Sequence, residues 1–264
     1  MLDSDGASLR ELANSSKKEG HGVMSTRRHS IVHGVLLEGI NYSGKSTVAR
    51  LLGEKLAMRG HVPRQRHCYA VESSISQELQ RQAFESVQNW EDRAFPDADL
   101  MRAFNIRKSA QILVDSGLIA ESDAGADADA ESVIVQDRHW FTQYCSNEFF
   151  NPGEGLLSKP WLRQHAPRFT VQVYLTCSQE ERLRRASQRT GPEKHNLNSY
   201  QRAHLTELAS YDAFCKSLIR NDPAWQIIQT ESVGADVVAD TILAVFNAAT
   251  ASGTEDLQEA ESRA

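Results

Sequence analysis

The chain has 264 residues, of which 40% are hydrophobic, and a formal net charge of -6. This length and composition allow one good hydrophobic core, and the negative charge offers no broad basic field for nucleic acid or an anionic membrane. The sequence has neither an apolar run of membrane-spanning length nor a signal segment, and its four cysteines are too widely spaced for a zinc site or a disulfide framework, so we expect a cytoplasmic protein.

Residues 1–30 are polar, rich in serine and charge, and lack a sustained hydrophobic period, which predicts a flexible N-terminal tail. Residues 31–37 form an apolar, β-branched run of the length of a buried strand. A helix is predicted to follow, because apolar residues then recur at helical spacing until Gly60 supplies a stop. The apolar positions of this helix are Val48, Leu51, Leu52 and Leu56.

Between this strand and helix lies the pattern G-x-x-x-x-G-K-[ST], in the context that is typical of a phosphate-binding P-loop rather than of an incidental glycine turn. The glycines let successive N–H groups point at phosphate oxygens, near the positive end of a helix dipole. Lys45 would reach the β- and γ-phosphates, and the Ser46 hydroxyl would hold Mg²⁺. We therefore predict that the loop binds a nucleoside triphosphate. Its predicted contacts are Gly39, Ile40, Asn41, Tyr42, Ser43, Gly44, Lys45, Ser46 and Thr47.

The rest of the chain alternates between predicted strands and helices, which indicates an α/β protein: a three-layer P-loop fold with a central parallel sheet flanked by helices. Further strands are predicted at 62–71 (weakly), 132–136, 169–175 and 225–230, and helices at 75–89, 98–113, 180–189, 197–219 and 235–249. Residues 121–131 are rich in alanine and acidic residues, which predicts an inserted loop. The loop would lie within a single domain at residues 31–249. Residues 250–264 predict a flexible acidic tail.

Polar residues follow three of these strands, where ligands bind in an open parallel sheet. They are the P-loop, Glu72 and the pair Asp137-Arg138. Asp137 suits a carboxylate that reaches Mg²⁺ directly or through water, although a helix N-cap would also explain it. Arg138 could bridge donor and acceptor phosphates or be an ordinary surface arginine. His139 is better explained as a packed histidine than as a ligand.

A strongly basic helix start follows the fourth strand and ends near Gly191-Pro192. Phosphoryl transfer needs cations around the γ-phosphoryl group and exclusion of water, so we predict a small lid at about 182–198. Its candidate catalytic residues are Arg184, Arg185 and Arg189, of which we favour the last two. The alternative is a solvated basic helix face.

Together these residues resemble the thymidylate kinase family of P-loop nucleoside and nucleotide kinases, over residues 31–248. The likeness lies in the segment from Glu38 to Thr47, in Asp137-Arg138-His139 where the family has Asp-Arg-Tyr, and in the Asn105-x-Arg107 helix. The resemblance implies Mg²⁺-assisted phosphorylation of a nucleoside monophosphate by ATP, dTMP in the family, with Arg107 and Arg138 on the acceptor phosphate. It also implies a homodimer.

The departures from the family keep other functions open. Asn41 stands where the family usually has a carboxylate, and the Pro-Gly-Gly expected after the second strand is absent. A deoxynucleoside kinase would use Glu72 as general base, because a nucleoside hydroxyl needs one and an anionic phosphate does not. A non-catalytic nucleotide-binding regulator would keep only the P-loop. A signalling GTPase is disfavoured because no Asn-Lys-x-Asp motif occurs.

Overall fold

The computed structural model of the protein describes residues 31–68, 73–87, 94–125, 132–189 and 196–262. Its centre is a sheet of five parallel strands in the order β2-β3-β1-β4-β5. The strands are β1 (Ile31–Glu38), β2 (Val62–His67), β3 (Ser132–Asp137), β4 (Arg168–Thr176) and β5 (Trp225–Gln229). The predicted α/β class and parallel sheet are confirmed.

Helices cover both faces of this sheet. They are α1 (Lys45–Met58), α2 (Ser74–Glu85), α3 (Ala98–Gly125), α4 (Trp140–Phe150), α5 (Lys159–His165), α6 (Gln179–Gln188), α7 (Asn196–Ala203), α8 (Leu208–Ile219) and α9 (Ala235–Ser262). On one face the strands bury Leu37 and Val173 against α1 and α9. On the other face they bury Leu36 and Tyr174 against α3, α4 and α8. Because the buried strands carry apolar residues on both faces, the result is the predicted three-layer arrangement.

The register of the strands brings polar residues together at the carboxyl ends of the parallel strands. Asp137 at the end of β3 pairs with Leu37 of β1 on one side and with His67 of β2 on the other. Glu38, the last residue of β1, pairs with Tyr174 of β4. The P-loop leaves β1 at this same end, so the parallel topology alone gathers segments that are far apart in sequence.

Several predicted boundaries differ from the structure. The predicted loop at 121–131 is wrong for residues 121–125, because α3 continues to Gly125 and buries Ile112 and Ile119 on one side. The long helix predicted at 197–219 is two helices, α7 and α8, separated by a turn at 204–207. The tail predicted at 250–264 is helical through Ser262, in a stretch rich in the strong helix formers alanine, glutamate and glutamine. The predicted N-terminal tail lies outside the described residues.

Helix α4 was not predicted at all. It buries Trp140, Phe141, Tyr144, Cys145 and Asn147, which lie on several sides of the helix. A helix that is enclosed in this way has no polar face, so its sequence lacks the amphipathic period on which the prediction depends. All four cysteines are buried and free of disulfides, and none of the helices in the described residues has the length and apolar character to cross a membrane.

Candidate active site

The P-loop adopts a backbone that glycine makes accessible. Gly39 has a φ of 137°, and a Cβ atom on it would lie 2.2 Å from the carbonyl oxygen of Leu175. Gly44 has a φ of 95° and directly precedes α1, whose first residue is Lys45. A side chain at either glycine would be strained, so these two residues permit the tight curl of the loop at the N-terminus of α1.

The Lys45 side chain folds over this loop. Its Nζ atom donates to the carbonyl oxygen of Ile40 at 2.8 Å and to Ser43 Oγ at 3.4 Å. Only 6% of the residue is exposed. Burial, reinforced by the nearby positive charge of Arg138, lowers the pKa of Lys45 to about 7. The carboxylates of Asp137 and Glu38 oppose this lowering, and an anionic phosphate beside Nζ would add to their effect.

Ser46 and Asp137 meet directly, as the sequence predicted for a metal site. Ser46 Oγ donates to Asp137 Oδ2 at 2.7 Å, and Asp137 Oδ1 is buried with no hydrogen-bond partner among the described residues. A hydroxyl bonded to one oxygen of a buried carboxylate, whose other oxygen lacks a partner, is a donor set that suits Mg²⁺. The described residues contain no cluster of three or more His, Cys, Asp or Glu that could hold a metal unaided. The residues therefore fit an ion that takes its other ligands from phosphate and water.

Arg138 lies between the P-loop and α4 in a strained conformation. Its φ is 63°, and its N–H donates to the carbonyl oxygen of Leu37 at 2.9 Å. The guanidinium donates to Asn41 Oδ1 and to Thr142 Oγ1. Positive φ in a non-glycine residue is uncommon and often marks a functional site. The arginine that the sequence suggested for phosphate contact is thus held next to the P-loop.

Glu38 holds the segment that follows Arg138 in place through hydrogen bonds. Its carboxylate is fully buried and accepts from the N–H groups of His139 and Thr142, at 2.8 and 3.3 Å, and from the Thr142 hydroxyl. Burial raises the pKa of Glu38, although the bonds from Thr142 and His139 and the charge of Arg138 oppose the rise. The carboxylate therefore fixes the N-terminus of α4, which follows Arg138. In the sequence, Glu38 stands out only as part of the family pattern.

A cavity of about 600 Å³, including its open mouth, lies beside Arg138. Its aromatic lining is Phe95, Phe104, Phe150, Tyr200 and Tyr211. Its polar lining is Asn41, Arg138, Thr142, Gln143, Ser146 and Gln201. None of the described residues that line it is a carboxylate. An apolar, aromatic cavity with a few convergent polar groups is typical of a small-molecule site.

The polar wall of this cavity is fixed from behind by Asn105. Asn105 Oδ1 accepts from Gln143 Nε2 at 2.9 Å and from Ser146 Oγ at 2.7 Å. The asparagine is buried, so its amide orients the two lining side chains rather than lining the cavity itself. Gln143 and Ser146 belong to α4, the helix that was not predicted, and no sequence signal marked them.

No family model matches the sequence, and no curated protein matches it significantly. Among solved structures, 180 chains match. One is a thymidylate kinase from Candida albicans, with 18% identity, a TM-score of 0.52, and coverage of 83% of this chain and 92% of that one. This chain has a thymidylate-kinase-like fold. The Candida enzyme is described as having a broad substrate specificity and a novel structural element.

The thymidylate-kinase-like fold brings two arginines of the predicted lid to the P-loop. The Arg185 guanidinium donates to the carbonyl oxygen of Tyr42 at 3.2 Å and to the carbonyl oxygen of Thr230 at 2.6 Å. The Arg189 guanidinium lies 5.9 Å from the centre of the Tyr42 ring. Arg184 instead is exposed and paired with Glu181. The fold thus separates the two favoured arginines from the third, while residues 190–195 of the predicted lid lie outside the described residues.

Other predicted residues are placed elsewhere by the same fold. Arg107 donates to the carbonyl oxygen of Ala103 in its own helix and does not line the cavity. Its neighbour Lys108 is the buried one, with Nζ 3.3 Å from the carbonyl oxygen of Cys68 and a pKa that burial lowers to about 8. Glu72, the predicted substrate contact and alternative base, lies outside the described residues.

His139 is packed in the protein interior, which is the interpretation that the sequence favoured. It is 2% exposed, and neither ring nitrogen has a hydrogen-bond partner among the described residues. Burial lowers its pKa to about 3. His67 is a residue that the sequence analysis missed: its Nε2 lies 3.6 Å from Asp137 Oδ2, and burial lowers its pKa to about 4. Only the register of β2 against β3 reveals this position.

Proposed function

We propose that the protein is an ATP-dependent phosphotransferase that phosphorylates a nucleoside monophosphate with the assistance of Mg²⁺. The observation that carries the proposal is the position of the Arg138 guanidinium. It lines the aromatic cavity and also bonds to Asn41 of the P-loop, so one cation touches both the predicted donor site and the cavity proposed for the acceptor. An arginine in this position suits a phosphate on each side.

The donor side follows from the loop. The N–H groups at the start of α1 would bind the phosphates of ATP, and Lys45 would pair with the β- and γ-phosphates. Ser46 and Asp137 would hold Mg²⁺, whose charge would stabilise the phosphate oxygens during transfer. Arg185 is already fixed against the loop carbonyl of Tyr42, so a small rotation would place a second cation near the phosphates.

The acceptor side favours a nucleotide over a nucleoside. A nucleoside hydroxyl needs a general base within hydrogen-bond reach, whereas a monophosphate is already an anionic nucleophile and needs a cation. The cavity is lined by Arg138, a cation that suits the phosphate of such an acceptor. The aromatic rings would stack on a base, with Gln143 and Ser146 available to its polar edge. Because the structural neighbour is a thymidylate kinase, dTMP is the first acceptor to test.

A coupled ADP-release assay with ATP, Mg²⁺ and a panel of nucleosides and nucleoside monophosphates tests the proposal. We expect turnover with at least one monophosphate, dTMP first, and none with the matching nucleoside. Arg138→Ala should raise the KM for the acceptor and lower kcat. Arg184→Ala is the matched control, because that guanidinium is exposed and pairs with Glu181 and Gln188 of its own helix α6.

Two other outcomes would replace the proposal. Transfer to a nucleoside but to no nucleotide would indicate a deoxynucleoside kinase and would make Glu72 the base to mutate. Tight ATP binding without turnover on any acceptor would indicate a nucleotide-binding regulator.

A further inference from the structure

His67 faces the same pair of side chains that would hold the divalent cation. Its Nε2 lies 3.6 Å from Asp137 Oδ2, and Ser46 Oγ lies 2.7 Å from that same oxygen. The three side chains come from β2, β3 and α1, and the direct pairing of His67 with Asp137 in the sheet fixes two of them relative to each other. The contact is therefore a consequence of strand register and not of a mobile loop.

The distance of 3.6 Å between His67 Nε2 and Asp137 Oδ2 is close to the distance between neighbouring ligands of one metal ion. Neighbouring ligands of an octahedral ion, each at about 2.1 Å from the metal, lie about 3 Å apart. The imidazole would have to move by about half an ångström to share an ion with Asp137, which is within the adjustment that a side chain makes on binding. About a third of the His67 side chain is exposed, 35%, whereas Asp137 is almost enclosed at 6%, so the histidine has room to move.

We propose that His67 is a direct ligand of the divalent cation that accompanies the triphosphate, and that its nitrogen shifts the preference of the site from Mg²⁺ toward Co²⁺ and Mn²⁺. The inference rests on the proposed function, because it requires a metal–nucleotide complex at Ser46 and Asp137. Mg²⁺ strongly prefers oxygen ligands. Imidazole binds transition ions far better, and affinity at a mixed nitrogen and oxygen site rises from Mn²⁺ to Co²⁺.

Pulsed electron paramagnetic resonance on the full chain with Mn²⁺ and a non-hydrolysable ATP analogue tests this ligand directly. Histidine labelled with ¹⁵N in the imidazole ring separates a histidine signal from the nitrogens of adenine and of the P-loop backbone. The test variant is His67→Gln. The matched control is His61→Gln, which changes a histidine at the opposite end of β2, just before Val62.

We expect a ¹⁵N coupling to Mn²⁺ in the wild-type protein and in His61→Gln, and none in His67→Gln. We also expect the ratio of the dissociation constants for Mg²⁺ and Co²⁺, measured by displacement of Mn²⁺, to fall about tenfold in His67→Gln, as is usual when a residue of the metal environment is lost. The absence of a ¹⁵N coupling in the labelled wild-type protein refutes the histidine ligand even if a variant does not fold.

The inference is overturned if Mn²⁺ binds with the nucleotide but shows no histidine coupling, or if His67→Gln leaves the metal ratio unchanged. Ser46→Ala separates this failure from failure of the proposed function. If Ser46→Ala abolishes Mn²⁺–nucleotide binding while His67 shows no coupling, the phosphotransferase site stands and only the histidine ligand is refuted. If the wild-type protein binds no Mn²⁺ with the nucleotide, both proposals are refuted.

Discussion

Binding of a triphosphate should draw a proton onto Lys45 at mildly alkaline pH. Burial of the Nζ atom lowers the pKa of Lys45 to about 7, so above that pH most of the free protein carries a neutral amine. The phosphates of ATP would restore the charged form, because an adjacent opposite charge favours ionisation. The perturbation is therefore a change of pH, and the response is the number of protons taken up on binding.

The magnitude follows from the pKa of about 7. At pH 8 only about 0.1 of the free protein has a charged Lys45, and binding should take up about 0.9 proton. At pH 6 the fraction is reversed, and uptake on Lys45 should be about 0.1 proton. The association constant should fall by up to about tenfold for each unit of pH above 7, because neutral protein must be protonated at a cost of about 1.4 kcal/mol per unit.

Isothermal titration calorimetry with ATP at pH 8, in buffers of different ionisation enthalpy, measures this uptake as the slope of the observed enthalpy against the buffer enthalpy. The phosphates of ATP are fully ionised at that pH and add nothing to the slope. Lys45→Met should abolish the uptake. Lys55→Met, on the same helix but paired with Asp236 and Asp240 of α9, should retain it. Zero uptake in the wild-type protein, or equal uptake in Lys45→Met, would refute the reasoning.

Three further predictions concern the metal pair, the loop and acid stability. Asp137→Asn should lower kcat at least about 100-fold while metal-free ATP binding is kept, and equal loss of both would contradict the metal role. Gly39→Ala should destabilise the fold by at least about 2 kcal/mol or abolish ATP binding, because its Cβ would lie 2.2 Å from a carbonyl oxygen. Gly117→Ala, a helical position with open space, is the control and should be neutral or stabilising in urea unfolding. His139 has a folded-state pKa of about 3, below its unfolded value, so the stability it contributes is complete above pH 6.5 and is lost as the pH falls toward 3. Between pH 6.5 and 5 the wild-type protein should lose about 2 kcal/mol more than His139→Phe, and equal losses would refute this.

The geometry of the loop and the position of Asp137 beside it could be predicted because the sequence pattern is local. Glycines, lysine and serine at fixed spacing between a strand and a helix specify the loop, and Asp137 follows the next buried strand directly. The aromatic cavity could not be predicted in the same way. Its cavity is assembled from segments as distant as Phe104 and Gln201, and its polar wall lies on a helix whose buried residues show no helical period.

The rotation of α3 about its own axis explains why Arg107, a predicted substrate contact, does not line the cavity. Successive residues of an α-helix point about 100° apart, so a one-residue difference changes the face that a side chain occupies. The structure buries Lys108, and turns Arg107 back along its own helix. A sequence motif fixes the helix but leaves that rotation undetermined unless the apolar period is strong. His67 was missed for a related reason, since the polar strand β2 gave no indication of which residue would face Asp137.

Asn41 connects parts of the protein that would bind different molecules. Its amide accepts from Arg138 and donates to Gln201 of α7, so one side chain of the P-loop joins the two walls of the cavity. A phosphate that draws Arg138 toward itself would weaken the bond to Asn41 and alter the loop. If an acceptor in this way changes the affinity for ATP, thermodynamic linkage requires ATP to change the affinity for that acceptor by the same factor. The coupling between the two binding sites would then pass through a single amide.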